Sequence, residues 1–185
     1  MRHRENLLHF FLWLGALRPL RRKKFQRIFA RMQKLSTNFS LDEFCRSTVA
    51  DELGVDNTPP PRFENSLRLL VIDILQPVRD HFGAAATVNS GYRCPAVNDA
   101  VGGARNSQHT RCEAADFNIA GVPAHKVAWW IKNSNLPFDQ VIFEARKDGT
   151  EWVHVSRADH PRGQALQANF DHNGKVTYAP LEAPA

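Results

Sequence analysis

The clearest hydrophobic pattern in the chain is a stripe of Leu67, Leu70, Val71, Ile74, Leu75, Val78 and Phe82. These residues recur at three- and four-residue steps, which places them on one face of a helix. Pro77 lies inside the stripe and has no N–H to donate, so it predicts a kink. Gly83 predicts the helix end. Upstream, Ser40-Leu41-Asp42-Glu43 reads as a capping box, the Ser side chain accepting from the third helical N–H and Glu43 reaching back. Leu41, Phe44, Val49 and Leu53 continue it as an incomplete stripe, and Gly54 suits the left-handed position that ends a helix. Asn57-Thr58-Pro59-Pro60-Pro61 is a stiff connection. Pro123 opens a third helix through Val127, Trp130 and Ile131.

Elsewhere the period falls to two. Ala86–Ser90 reads as a short strand, and Ala114 to Ile119 as another. The second would carry Asp116 and Asn118 on one face and Phe117 and Ile119 on the other. Val141-Ile142-Phe143 and Trp152-Val153-His154-Val155 are strands separated by the turn-prone Lys147-Asp148-Gly149. Asn173-Gly174, between Ala168-Asn169-Phe170 and Val176-Thr177-Tyr178, signals a hairpin. Cys94 to Asn106 reads as loop with room for one helical turn after Pro95, and Gly102-Gly103 opposes regular structure. Helices early and strands mostly later predict an α+β domain with an antiparallel sheet.

Charge divides the chain. Its net charge is +5, yet Arg2, Arg4, Arg18, Arg21, Arg22, Lys23, Lys24, Arg27, Arg31 and Lys34 all fall in the first 34 residues, opposed only by Glu5. The remainder is slightly acidic, so charge is no argument for nucleic-acid binding and no such partner is expected. The predicted division is a basic, partly apolar extension over 1–37, a domain over 38–180 and a tail over 181–185. Leu7 to Leu17 is apolar behind a basic start, as in a secretory signal, but contains His9 and leads into Arg18-Pro19-Leu20-Arg21-Arg22 rather than a small-residue cleavage site. Phe25, Ile28, Phe29 and Met32 would give a basic helix an apolar side suited to an anionic membrane surface. A third reading starts translation at Met32. No apolar run is long enough to span a bilayer. Cys45, Cys94 and Cys112 are too few for a disulfide framework.

Chemistry concentrates in Ser107-Gln108-His109-Thr110-Arg111-Cys112-Glu113-Ala114-Ala115-Asp116 and in Glu151-Trp152-Val153-His154. Two imidazoles and a carboxylate, His109, His154 and Asp116, are a usable three-ligand set for a catalytic zinc with one open position. A further carboxylate beside that position could take a proton from water. Glu151 is the preferred base. It lies three residues before His154, so it must sit in a turn or behind a bulge to share a face with it. Glu144, at the end of the preceding strand, is the alternative.

The order of these blocks resembles the zinc D-alanyl-D-alanine carboxypeptidase superfamily, in its branch common in phages and bacteria. The resemblance runs from about Asn38 to about Tyr178. It rests on Ser90-Gly91-Tyr92-Arg93, Asn98 with Val101-Gly102-Gly103, Ser107-Gln108-His109 through Asp116, and Trp152-Val153-His154-Val155-Ser156. It implies the fold shared with hedgehog signalling domains: a small antiparallel sheet flanked by helices. It implies His109, Asp116 and His154 as ligands of one Zn2+, Glu151 as the catalytic carboxylate and Arg93 facing the substrate carbonyl or oxyanion. Ser107 and Gln108 join Arg93 as substrate-binding residues. The implied activity is hydrolysis of peptidoglycan stem peptides, as carboxypeptidase or endopeptidase, by a monomer acting on the cell wall. The alternative is a non-catalytic zinc-containing binding or phage structural module of the same fold. Cys112 replaces the family's glycine. Cys94 and Cys112 could pair across the site, remain buried thiols, or, for Cys112, offer a thiolate ligand.

Overall fold

The computed structural model describes residues 33–170 and 175–184. The readings of the extension before residue 33 lie outside the described residues, as does the Asn173-Gly174 turn.

The chain enters through a tight bend in which Lys34 bridges to Ser40 and Leu35 and Phe39 are buried. Ser36 Oγ donates to Gln76 Oε1 over 2.7 Å. The domain therefore begins before residue 38. It also reaches past residue 180, because Leu181 is buried and its N–H donates to the Ala165 carbonyl. Helix α1 spans Leu41–Cys45 and α2 Thr48–Leu53. The single helix expected here is broken because Arg46 is extended, and the Ser47 hydroxyl starts the second helix by accepting from Ala50 N. At α1 the expected capping box is present, and Glu43 Oε1 accepts from both the Ser40 N–H and its hydroxyl. Gly54, at φ 69°, ends α2 in the left-handed conformation.

The long stripe is helical throughout, as α3 (Glu64–Leu70), a π-helical turn (Val71–Leu75) and α4 (Gln76–Phe82). Pro77 follows the π turn after one residue, Gln76. A missing N–H removes one i→i−4 bond, and the widened turn absorbs that loss without ending the helix. Leu67, Leu70, Val71, Ile74, Leu75 and Val78 are fully buried. They pack in one core cluster with Phe117, Val153 and Val155 of the sheet and with Val127 and Ile131 of α6 (Ala124–Lys132).

Six strands form one sheet: β1 (Ala86–Ser90), β2 (Ala114–Ile119), β3 (Gln140–Ala145), β4 (Glu151–Ser156), β5 (Gln164–Phe170) and β6 (Val176–Pro180). Their order is β1-β2-β4-β3-β5-β6. The fold is α+β as expected, but the sheet is mixed, because β3 and β5 are parallel. The reason is topological. From β3 onward each strand reverses the one before it in sequence; β4 lies between β2 and β3, and β5 takes β3's other edge, where it points the same way as β3. A short helix, α5 (Pro95–Ala100), interrupts the long loop. One sheet face is sealed by the helices; the other lines an open cleft. No helix among the described residues is long and apolar enough to cross a membrane.

Candidate metal centre and cleft

The cleft has a volume of about 1090 Å³, and Arg93, Ser107, Gln108, His109, Asp116 and His154 all line it. Its precision begins at Gly91. A Cβ on Gly91 would lie 2.6 Å from the Phe44 Cα, so the chain leaving β1 can pass this close to α1 only as glycine. Tyr92 N–H fastens it there by donating to the Phe44 carbonyl at 2.8 Å. The Gly91 carbonyl then accepts from His109 Nδ1 at 2.7 Å. In neutral His109 this leaves the Nε2 lone pair facing the cleft.

His109 sits in a 3-10 turn, Gln108–Arg111, and is 3% exposed. That turn ends at Cys112, at φ 58° the only non-glycine residue with positive φ among those described. A buried cysteine thus takes a left-handed backbone where the resemblance leads one to expect glycine. Burial drives its thiol far above the usual range, with the Cys45 charge adding to the effect. Such a thiol is not a thiolate donor. All three cysteines are free, so the Cys94–Cys112 pairing is absent.

Asp116 and His154 are direct partners across the β2–β4 pair. His154 Nδ1 lies 2.9 Å from Asp116 Oδ1, and His109 Nε2 lies 3.3 Å from the same oxygen and 3.3 Å from His154 Nδ1. Arg93 Nη2 donates to Asp116 Oδ2 at 2.6 Å while its Nε donates to Ser90 Oγ at 2.8 Å. Burial works to raise the Asp116 carboxyl, but the charges and hydrogen bonds of His109 and His154 outweigh it and hold the group well below the usual carboxylate range.

These three side chains can hold a metal ion. Donor atoms bound tetrahedrally at zinc-like lengths lie about 3.3–3.6 Å apart. The three edges observed, 2.9 to 3.3 Å, come within a few tenths of an ångström of that before any ion draws the groups into place. The second-layer partners also fit: the Gly91 carbonyl orients one imidazole, and Arg93 turns one carboxylate oxygen toward the trio.

Glu151 is placed elsewhere. Strand β4 is regular from its first residue, so the side chains of Trp152 and His154 share the cleft face and Glu151 takes the other. Its Oε1 accepts from the Ala124 N–H at 2.7 Å, at the start of α6. This corrects the expectation that a turn or bulge would bring Glu151 beside His154. The glutamate that does share the face is Glu144, opposite Trp152 and two residues along β3 from Ile142, the partner of His154. Burial and then the Asp116 charge push the Glu144 carboxyl up, against opposing effects from His154, Arg93 and a Trp152 hydrogen bond.

The family described as Peptidase M15 matches residues 37–156, well over half of the chain. The chain belongs to the M15 peptidase family. No curated protein matches it. As an M15 peptidase, it is a metallopeptidase by family, and the trio is where its metal would sit. Strands β5 and β6 of this M15 peptidase lie beyond the matched segment.

Sequence reasoning missed the far wall of the cleft. Asp139 is buried at 2% exposure and accepts from Gln108 Nε2 at 2.9 Å and from the Arg162 N–H and guanidinium. These bonds, Arg162's first, lower the Asp139 carboxyl to about 2. Gln108 therefore lines the cleft with its amide held by a buried carboxylate. Ser107 uses its carbonyl to accept from the Thr110 hydroxyl at 2.7 Å. A lone Asp before an apolar strand carries no signal of burial; its partner 23 residues on was invisible to local pattern.

Proposed function

We propose that the protein is a zinc-dependent peptidase acting on the stem peptides of peptidoglycan. The observation that carries this reading is the trio of His109 Nε2, Asp116 Oδ1 and His154 Nδ1, mutually within 3.3 Å, with Glu144 on the same sheet face. Zinc bound by these three atoms supplies Lewis acidity and an activated water at neutral pH.

The chain's own residues do the rest. Glu144 accepts a proton from the attacking water and returns it to the leaving amine. Its raised pKa suits a group that must both take and give that proton. Arg93 keeps Asp116 oriented, and its positive charge stabilises the oxyanion that develops on the substrate carbonyl. Gln108, fixed by Asp139, offers its amide to the peptide backbone.

The test is digestion of purified muropeptides by protein reconstituted with one equivalent of zinc, followed by mass spectrometry. New amino and carboxyl termini are expected, and a chelator should prevent them. If the zinc-loaded protein binds muropeptides and cuts none, it is a binding module of this fold instead.

A further inference from the structure

Five arginines line the cleft, and four of them face a carboxylate of the protein. Arg93 meets Asp116 at 2.6 Å, Arg111 meets Glu113 at 2.7 Å, and Arg46 reaches Asp42 at 3.7 Å. Arg162 is bonded to Asp139. Arg146 is the exception: among the described residues, no carboxylate lies within ion-pair distance of it. Its guanidinium is held instead over the Trp152 ring, 5.1 Å from the centroid, and Trp152 packs against Phe170 at 6.4 Å.

The register places this guanidinium with purpose. Arg146 follows Glu144 by two residues on β3's line, so it continues the cleft face just beyond Glu144. Trp152 is the direct cross-strand partner of Glu144. An aromatic ring beneath a guanidinium fixes its plane without neutralising it. Asp148, two residues on, feels the Arg146 charge but makes no ion pair with it, so this exposed guanidinium, stacked on a ring, keeps its donors for a bidentate carboxylate. The paired arginines have already spent this capacity within the protein.

Resting on the peptidase reading above, we propose that Arg146 is a specificity-determining residue that anchors a free carboxylate of the substrate on the Glu144 side of the cleft. Two sources share that chemistry: the C-terminal α-carboxylate of a stem peptide, and the side-chain carboxylate of an acidic residue within it. Capture of the terminal carboxylate would make the enzyme an exopeptidase.

The test compares zinc-loaded wild type, Arg146→Gln and Arg146→Lys on three synthetic stem peptides ending in D-Ala-D-Ala: the free acid, its C-terminal carboxamide, and the free acid with its acidic side chain amidated. Wild type should favour the free acid over one of the two amidated forms by at least tenfold in kcat/KM, mainly through KM. The form that suffers identifies the carboxylate. Arg146→Gln should bring that ratio close to one, and Arg146→Lys should restore part of it. A wild-type ratio near one for both amides, or an unchanged ratio in Arg146→Gln, would overturn the assignment. Calorimetric binding of the same peptides is read in parallel. If no peptide is cut, the hydrolytic reading fails, yet loss of free-acid preference in binding by Arg146→Gln still supports the anchor, and its persistence refutes it.

Discussion

Replacing Glu151 by Ala separates a structural carboxylate from a catalytic one. In the structure Glu151 Oε1 accepts from the Ala124 N–H at 2.7 Å, at the first residue of α6. That N–H is one of the donors an α-helix cannot satisfy internally. A hydrogen bond to a charged group contributes about 1.5–3 kcal/mol, and a helix N-terminal charge about 0.3–1 kcal/mol. Water replaces part of this at a half-buried site, so the expected loss is about 1–2 kcal/mol. For a domain of this size that lowers the melting midpoint by about 2–8 °C. The backbone of β4 should stay in place, because the Glu151 carbonyl still accepts from Asn118 Nδ2 at 2.8 Å. Thermal denaturation and steady-state hydrolysis on the same zinc-loaded samples are the assay. Catalysis within about twofold of wild type, at a temperature where both are folded, is expected. An unchanged midpoint with full zinc and a hundredfold loss of kcat would refute the placement of Glu151 outside the chemistry.

Three other outcomes follow from named contacts. Cys112→Gly should stay within about 1 kcal/mol of wild type in urea unfolding, relief of a left-handed backbone offsetting lost burial, whereas Cys112→Val should cost more than about 2 kcal/mol. Gly91→Ala should lose several kcal/mol, because its Cβ meets Phe44 backbone atoms at 2.6–2.7 Å, and metal affinity should fall with it since the same residue orients His109. Asp139 is ionised down to about pH 2 in the fold and to about 3.8 in the unfolded chain. A depressed carboxyl contributes stability that is complete above the unfolded value and lost as pH falls through the folded one. Acid titration should therefore show a loss of about 2 kcal/mol between pH 4 and 2 that Asp139→Asn lacks.

What was legible from sequence depended on range. The stripe from Leu67 to Phe82 is local and strong, and the structure keeps it helical; only the π turn before Pro77 was beyond a periodicity argument. His109, Asp116 and His154 were identifiable because their chemistry is unusual and their spacing specific. Glu151 misled because a sequence motif counts residues, whereas a regular strand assigns faces by parity. The same parity, applied from His154 across to β3, would have selected Glu144 had the pairing been known. The mixed sheet was illegible for a related reason. Both hairpin signals were local, but the decision to seat β5 on β3 is made by side-chain packing far apart in the chain. Leu35 and Leu181 were assigned outside the domain because single apolar residues in short segments show no period, although both are buried.

Glu144→Gln tests the proposed chemistry most directly, with zinc content and peptide hydrolysis measured on the same preparation. His109, Asp116 and His154 are untouched, so one zinc per chain is predicted, as in wild type. Without its proton carrier the enzyme should lose about 10²–10⁴ in kcat. Zinc retained with undiminished hydrolysis, or a wild-type protein that binds no zinc, would contradict it.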